Sequence, residues 1–150
     1  MKKIFLFAIA MISLLSSCIF EKPTEISLFY YKESLDPDTV CVEEAFLPVK
    51  REIKSKNLIF DTISLLIEGD LSHDEKAQGF STEFPHPDFK LLEANLDENG
   101  TLTLDFTVVP GFTSGGSMRM KILSSQIEKT ALHLPEVKKV KYKNEELFQP

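Results

Sequence analysis

The stretch Leu15-Ser16-Ser17-Cys18 sets a thiol directly after one aliphatic and two small residues, where an uncharged, mostly apolar run from Ile4 ends. This arrangement resembles the bacterial lipobox. The chemistry it suits is acylation: the thiol accepts the acyl group, and the small residues let the backbone enter a signal peptidase. Met1-Lys2-Lys3 supplies the positive start of an export signal. As a helix the apolar run would reach only about 18 Å, against roughly 30 Å of bilayer hydrocarbon, so it reads as a removable signal and not as a span. An ordinary secretory signal with an incidental cysteine is the blander reading, and the position of Cys18 at the end of the run argues against it. The expectation is a signal over 1–17, a lipidated tether over 18–25 and one domain over 26–150. Acyl groups on Cys18 would hold that domain on the extracytoplasmic face of the cell membrane or outer membrane. From Ile19 to Glu25 the tether reaches at most about 25 Å, so the domain works close to its membrane.

Other reactive side chains are scattered. With Cys18 acylated, Cys41 has no thiol partner and reads as a small strand residue. His73, His86 and His133 lack the spacing of metal ligands, and no metal or other cofactor is expected. His86, between Pro85 and Pro87, reads as a loop imidazole. Asp36, Asp38, Glu43 and Glu44 lack a calcium-loop pattern and read as the solvated end of a hairpin. Gly115, Gly116 and Ser117 open a helix whose free N–H groups could hold an anion, although the phosphate-loop lysine is missing and flexible capping is the simpler role. Lys138, Lys139, Lys141 and Lys143 form one basic run, three of them on one strand face. Such lysines protect a strand edge from unwanted pairing, or they meet an acidic partner or lipid headgroups. No coherent nucleophile, metal or acid–base set emerges. An envelope interaction module is therefore expected, with a small lipid-anchored cell-wall enzyme or ligand binder as the alternative.

The charge balance points the same way. The formal net charge is −6, and loss of Lys2 and Lys3 with the signal would make it −8. Nucleic acid is excluded as a general partner, since counterion release requires clustered cations.

These residues must be positioned by an α+β frame. Ile26–Tyr31 and Val40–Val49 are rich in β-formers and flank the turn chemistry of Asp36-Pro37-Asp38, which predicts a hairpin. Asn57 to Glu68 has helical periodicity with a narrow polar stripe of Asn57, Asp61, Ser64 and Glu68, closed by Gly69. Ser72-His73-Asp74-Glu75 fits a capping box ahead of Gly79. Residues 89–96 and 101–108 flank Asp97-Glu98-Asn99-Gly100, and the second strand alternates Leu102, Leu104, Phe106 and Val108 with polar residues. Met120, Leu123, Ile127, Ala131 and Leu134 share a helical face opposite Arg119, Gln126 and Lys129. Pro135 stops that helix, a strand over 137–143 follows, and the residues after Tyr142 read as a terminal extension. The expected order is β-β-α-β-β-α-β: a mixed sheet of about five strands with two long helices on one face.

Three groups of residues carry a family resemblance. They are Leu65-Leu66-Ile67-Glu68-Gly69 with Glu75-Lys76-Ala77-Gln78-Gly79 and Phe84-Pro85, the run from Asn99 to Phe106, and Gln126-Ile127 with Thr130 leading into Leu134 to Val140. In order and spacing they resemble the GerMN domain, a family named for a lipoprotein of spore formation and germination. Gly69-Asp70 stands where that family usually has glycine and proline, and no second copy follows. The resemblance implies a single domain that assembles or binds in the cell envelope without catalysis, through an envelope protein or a second copy of itself.

Overall fold

A computed structural model describes residues 22–149 of the chain. The first hairpin joins β1 (Thr24–Lys32) to β2 (Phe46–Ile53), paired antiparallel from Thr24 opposite Ile53 to Tyr31 opposite Phe46. Ile26, Leu28 and Tyr30 alternate into the core. Pro48 lies opposite Phe29, whose N–H instead donates to Thr130 Oγ1 at 2.9 Å. The missing proline donor therefore removes no bond from the ladder. β2 begins later than the β-formers suggest, because residues 33–45 are occupied by two short 3-10 turns, Glu33–Leu35 and Glu43–Ala45.

Helix α1 (Leu58–Ile67) starts on Asn57, whose side chain accepts from the N–H of Phe60. It buries Thr62, Ile63, Leu66 and Ile67. Gly69 follows with φ of 63°, and a side chain there would collide with the Phe84 carbonyl, so the turn requires glycine twice over. The short helix α2 (His73–Ala77) carries the reciprocal Ser72–Glu75 cap, and β3 (Phe80–Ser81) adds to the end of β1.

β4 (Leu91–Leu96) and β5 (Thr101–Phe106) form the second hairpin. Of its Asn-Gly pair, Gly100 alone has a positive φ, and a bulge at Leu92 turns that side chain into solvent. β5 ends at Phe106, and Val108 is exposed. Helix α3 (Ser117–Leu132) then leads to β6 (Lys139–Tyr142), which runs parallel to β5.

The α+β class and element order stand as expected, but six strands replace five, and they divide into two sheets, β2-β1-β3 and β4-β5-β6. The reason lies in α3. It packs against β1 and β6 while α1 packs against β1 and β4, and the Thr130 hydroxyl takes the outward N–H of β1. A helix, not a strand from the other hairpin, therefore seals that edge.

The same packing corrects two further expectations. Gln126 is fully buried and not exposed. Met118, Ile122, Gln126 and Thr130 form a second line along α3 that faces β1 and the loop after it, beside the expected line of Met120, Leu123, Ile127 and Ala131. The residues after Tyr142 are no extension either. Leu147 and Phe148 are buried, and the Phe148 ring meets Phe89 and Tyr142 edge-on.

Candidate functional site

β6 is an edge strand of the second sheet, and its sequence alternates Lys139 and Lys141 on the outer face with half-buried Val140 and Tyr142 beneath. Lys139 N–H donates to Gly100 O and Lys143 N–H to Leu104 O. Alternation along a parallel ladder then turns the backbone groups of Val140 and Tyr142 away from β5, where they have no partner among the described residues. Tyr142 is held from below: its hydroxyl donates to Glu128 Oε1 at 3.3 Å. Burial pushes the pKa of that hydroxyl well above the usual tyrosine value, and desolvation raises that of Glu128.

The four lysines are not equivalent. Lys143 Nζ lies 2.7 Å from Asp105 Oδ2 and 3.4 Å from Glu93 Oε2, and the Asp105 bond raises its pKa first among the causes. The stem of Lys138 lies against Gly100. Lys139 and Lys141 make no ion pair among the described residues and stand exposed beside Thr101 and Thr103 of β5. The arrangement offers two exposed cations outside any close ion pair among the described residues, Lys141 with its charge also felt by Asp97, and an open row of backbone donors and acceptors. That is chemistry for binding an extended or acidic surface.

Elsewhere the sequence candidates fall into structural places. Gly116 caps α3 without a side-chain bond and Gly115 has φ of 149°, so Gly115, Gly116 and Ser117 form an open helix start. The nearby Arg119 is occupied by Glu83 at 2.6 Å and by the carbonyls of Gly111 and Phe112. His86 stacks on Phe112 with ring centroids 4.6 Å apart, and its Nδ1 accepts from the Asp88 N–H. It lies with Glu68 and Lys90 along a shallow groove under α1. His133 rests edge-on against Phe29, and His73 opens α2 in solvent. No group of three or more His, Cys, Asp or Glu among the described residues could hold a metal ion, and no described helix is long and apolar enough to cross a membrane. Cys18, the signal and the first half of the tether, 18–21, lie outside the described residues.

Two residues depart from their sequence reading. Asp36 is buried, not solvated, and its carboxylate accepts from the Tyr31 hydroxyl at 2.8 Å and from the N–H groups of Cys41 and Val40. Desolvation opposes ionisation there, but those hydrogen bonds outweigh it and hold the carboxyl below its usual range. Cys41 sits in the loop, not in a strand, with φ of 61°, and burial pushes its thiol pKa up. A second feature gave no signal at all: Arg51 of β2 forks onto Glu75 at 2.7 and 2.8 Å and onto the Asp70 carbonyl. The fork holds the Glu75 carboxyl down to about 2. Pairing between residues this far apart in the sequence has no local pattern to betray it.

Comparison with known proteins then bears on the fold just described. The model of the Germane family, described as sporulation and spore germination, matches residues 27–142. A solved structure, the tandem GerMN domains of the sporulation protein GerM from Bacillus subtilis, superimposes with a TM-score of 0.53 at 23% sequence identity. The match covers 81% of this chain and 38% of that one, so the chain spans well under half of the tandem structure. No curated protein sequence matches the chain.

Proposed function

The chain belongs to the Germane family of sporulation and spore-germination proteins, and from that premise we propose that it is a lipid-anchored interaction module of the cell envelope and not an enzyme. The family match runs from within β1 to the end of β6, so the chain shares with the family the elements that carry this edge. The carrying observation is the open edge of β6 with Lys139 and Lys141 exposed beside it. Its backbone groups suit an added strand, and the lysines select for an acidic partner, whether an envelope protein or a second copy of this chain. Acylation at Cys18 would confine that docking to the membrane face.

The test is crosslinking and affinity capture with the native lipidated protein. Lys139→Glu with Lys141→Glu should weaken capture several-fold, more so at low salt, without changing the unfolding midpoint. Capture at the wild-type level by the double variant rejects this edge as the site. Cys18→Ala should abolish fatty-acid labelling and release the protein from membranes, and labelling that persists rejects the anchor. Turnover of peptidoglycan by the purified protein, lost in His86→Ala, would overturn the non-enzymatic reading.

A further inference from the structure

The elements run between two ends of the molecule, and charge is divided unevenly between them. At one end β1 and α1 begin and α3 finishes, brought together in the groove lined by Thr24, Leu58, His133 and Pro135. β5 and β6 begin on the same side of the fold, Thr101 beside Lys139, just after the segment that leaves α3. At the other end Phe84 and Phe106 stack on Phe89, Phe112 meets it edge-on, and Lys121 near the start of α3 reaches the carbonyl of Val40. The connections at the first end, 22–25, 54–57, 97–100 and 133–138, contain four carboxylates and four lysines. Those at the second, 33–45, 68–90, 107–116 and 143–149, contain thirteen carboxylates and three lysines. Arg51, Arg119 and Lys129 pair three of the thirteen, Glu75, Glu83 and Glu43, which leaves ten carboxylates against three lysines. The segment 33–45 alone carries Glu33, Asp36, Asp38, Glu43 and Glu44 with no cation.

We propose that this asymmetry orients the domain on an anionic lipid surface, with the end that receives the chain at Lys22 against the headgroups and the acidic connections turned away. The inference rests on the lipid-anchored reading above and adds to it a membrane-facing surface. Its physical basis is distance against screening. The nine residues of β1 span about 30 Å and the ten of α1 about 15 Å, so the acidic connections begin about 15–30 Å from the first end. Charges are screened over about 8 Å at physiological ionic strength, so an upright domain keeps its acidic end outside the field of the membrane and a tipped one drives it in. Each unit charge brought against such a surface changes the population by about fivefold, so a difference of several charges makes the tipped arrangement rare. Lys22 and Lys56 flank the entry point, where the first strand starts and the second ends, and they favour contact there.

The experiment uses the full lipidated chain in vesicles of phosphatidylcholine with or without phosphatidylglycerol. Fluorescent probes are placed on Lys56→Cys and, separately, on Asp38→Cys, while Cys41 is buried and remains unlabelled in the folded protein. With spin-labelled headgroups, quenching should be several-fold stronger at position 56 than at 38 in vesicles containing phosphatidylglycerol. That contrast should shrink in phosphatidylcholine alone, in high salt, and when Glu43→Lys and Glu44→Lys are added. A contrast indifferent to lipid charge and salt, or equal quenching at both positions, overturns the orientation while leaving the anchor intact. Failure of the chain to join vesicles at all overturns the anchor and the orientation together.

Discussion

Replacing Glu75 by glutamine isolates the charge of the Arg51–Glu75 fork, because glutamine can keep the capping bond to Ser72. The carboxyl is held near 2 in the fold against an ordinary 4.5, chiefly by the hydrogen bond from Arg51. A difference of that size corresponds to about 3 kcal/mol at neutral pH. The two side chains are 24% and 17% exposed, and solvent screening reduces the expected contribution to about 1–2 kcal/mol. Because the folded value is depressed, the contribution is complete above about pH 4.5 and is lost as pH falls toward 2. Urea unfolding of wild type and Glu75→Gln at a series of pH values measures it. At pH 7 the midpoint of the variant should lie lower by about 0.5–1 M, and the two curves should converge near pH 2. A gap that persists unchanged from pH 7 to pH 2, or no gap at pH 7, refutes the electrostatic account of this contact.

Three further outcomes follow from the packing. Gly69→Ala places a side chain against the Phe84 carbonyl in a left-handed turn and should cost about 2 kcal/mol or more by denaturant unfolding. Thr130→Val keeps the shape of α3 but removes the acceptor of the Phe29 N–H, and a loss of about 1–3 kcal/mol is expected, with faster amide exchange at Phe29. A chain ending at Asn144 lacks Leu147 and Phe148 and should unfold about 2–5 kcal/mol more easily, whereas an unchanged midpoint would return those residues to the status of a loose tail.

Local chemistry was legible in the sequence wherever one segment settles its own conformation. The Asn57 start of α1, the left-handed Gly69, the Ser72–Glu75 cap and the alternation of Leu102, Leu104 and Phe106 all stand as read. What could not be read depends on residues far apart in the chain. Gln126 looks solvent-facing from the period of α3 alone, and only the docking of its second line against β1 buries it. Asp36 resembles any turn carboxylate until the hydroxyl of Tyr31 and two backbone donors are found to close on it. At the candidate site the lysine run and its alternation were visible, and the edge position of β6 fits them. The neutralisation of Lys143 was not visible, since Glu93 and Asp105 come from two other strands.

The burial of Phe148 against Phe89, and the bond from Phe29 to Thr130, also set a timetable. The first hairpin can zip from neighbouring residues, but its outer edge stays open until α3 has been made, and the aromatic cluster stays open until Phe148 reaches Phe89 and Tyr142. Contacts so distant in sequence carry a loop-closure cost that must be met before they stabilise anything. A chain made in order from its N-terminus therefore holds both seams open until these distant partners are in place. Leu147 and Phe148 act as the latch that closes the aromatic cluster.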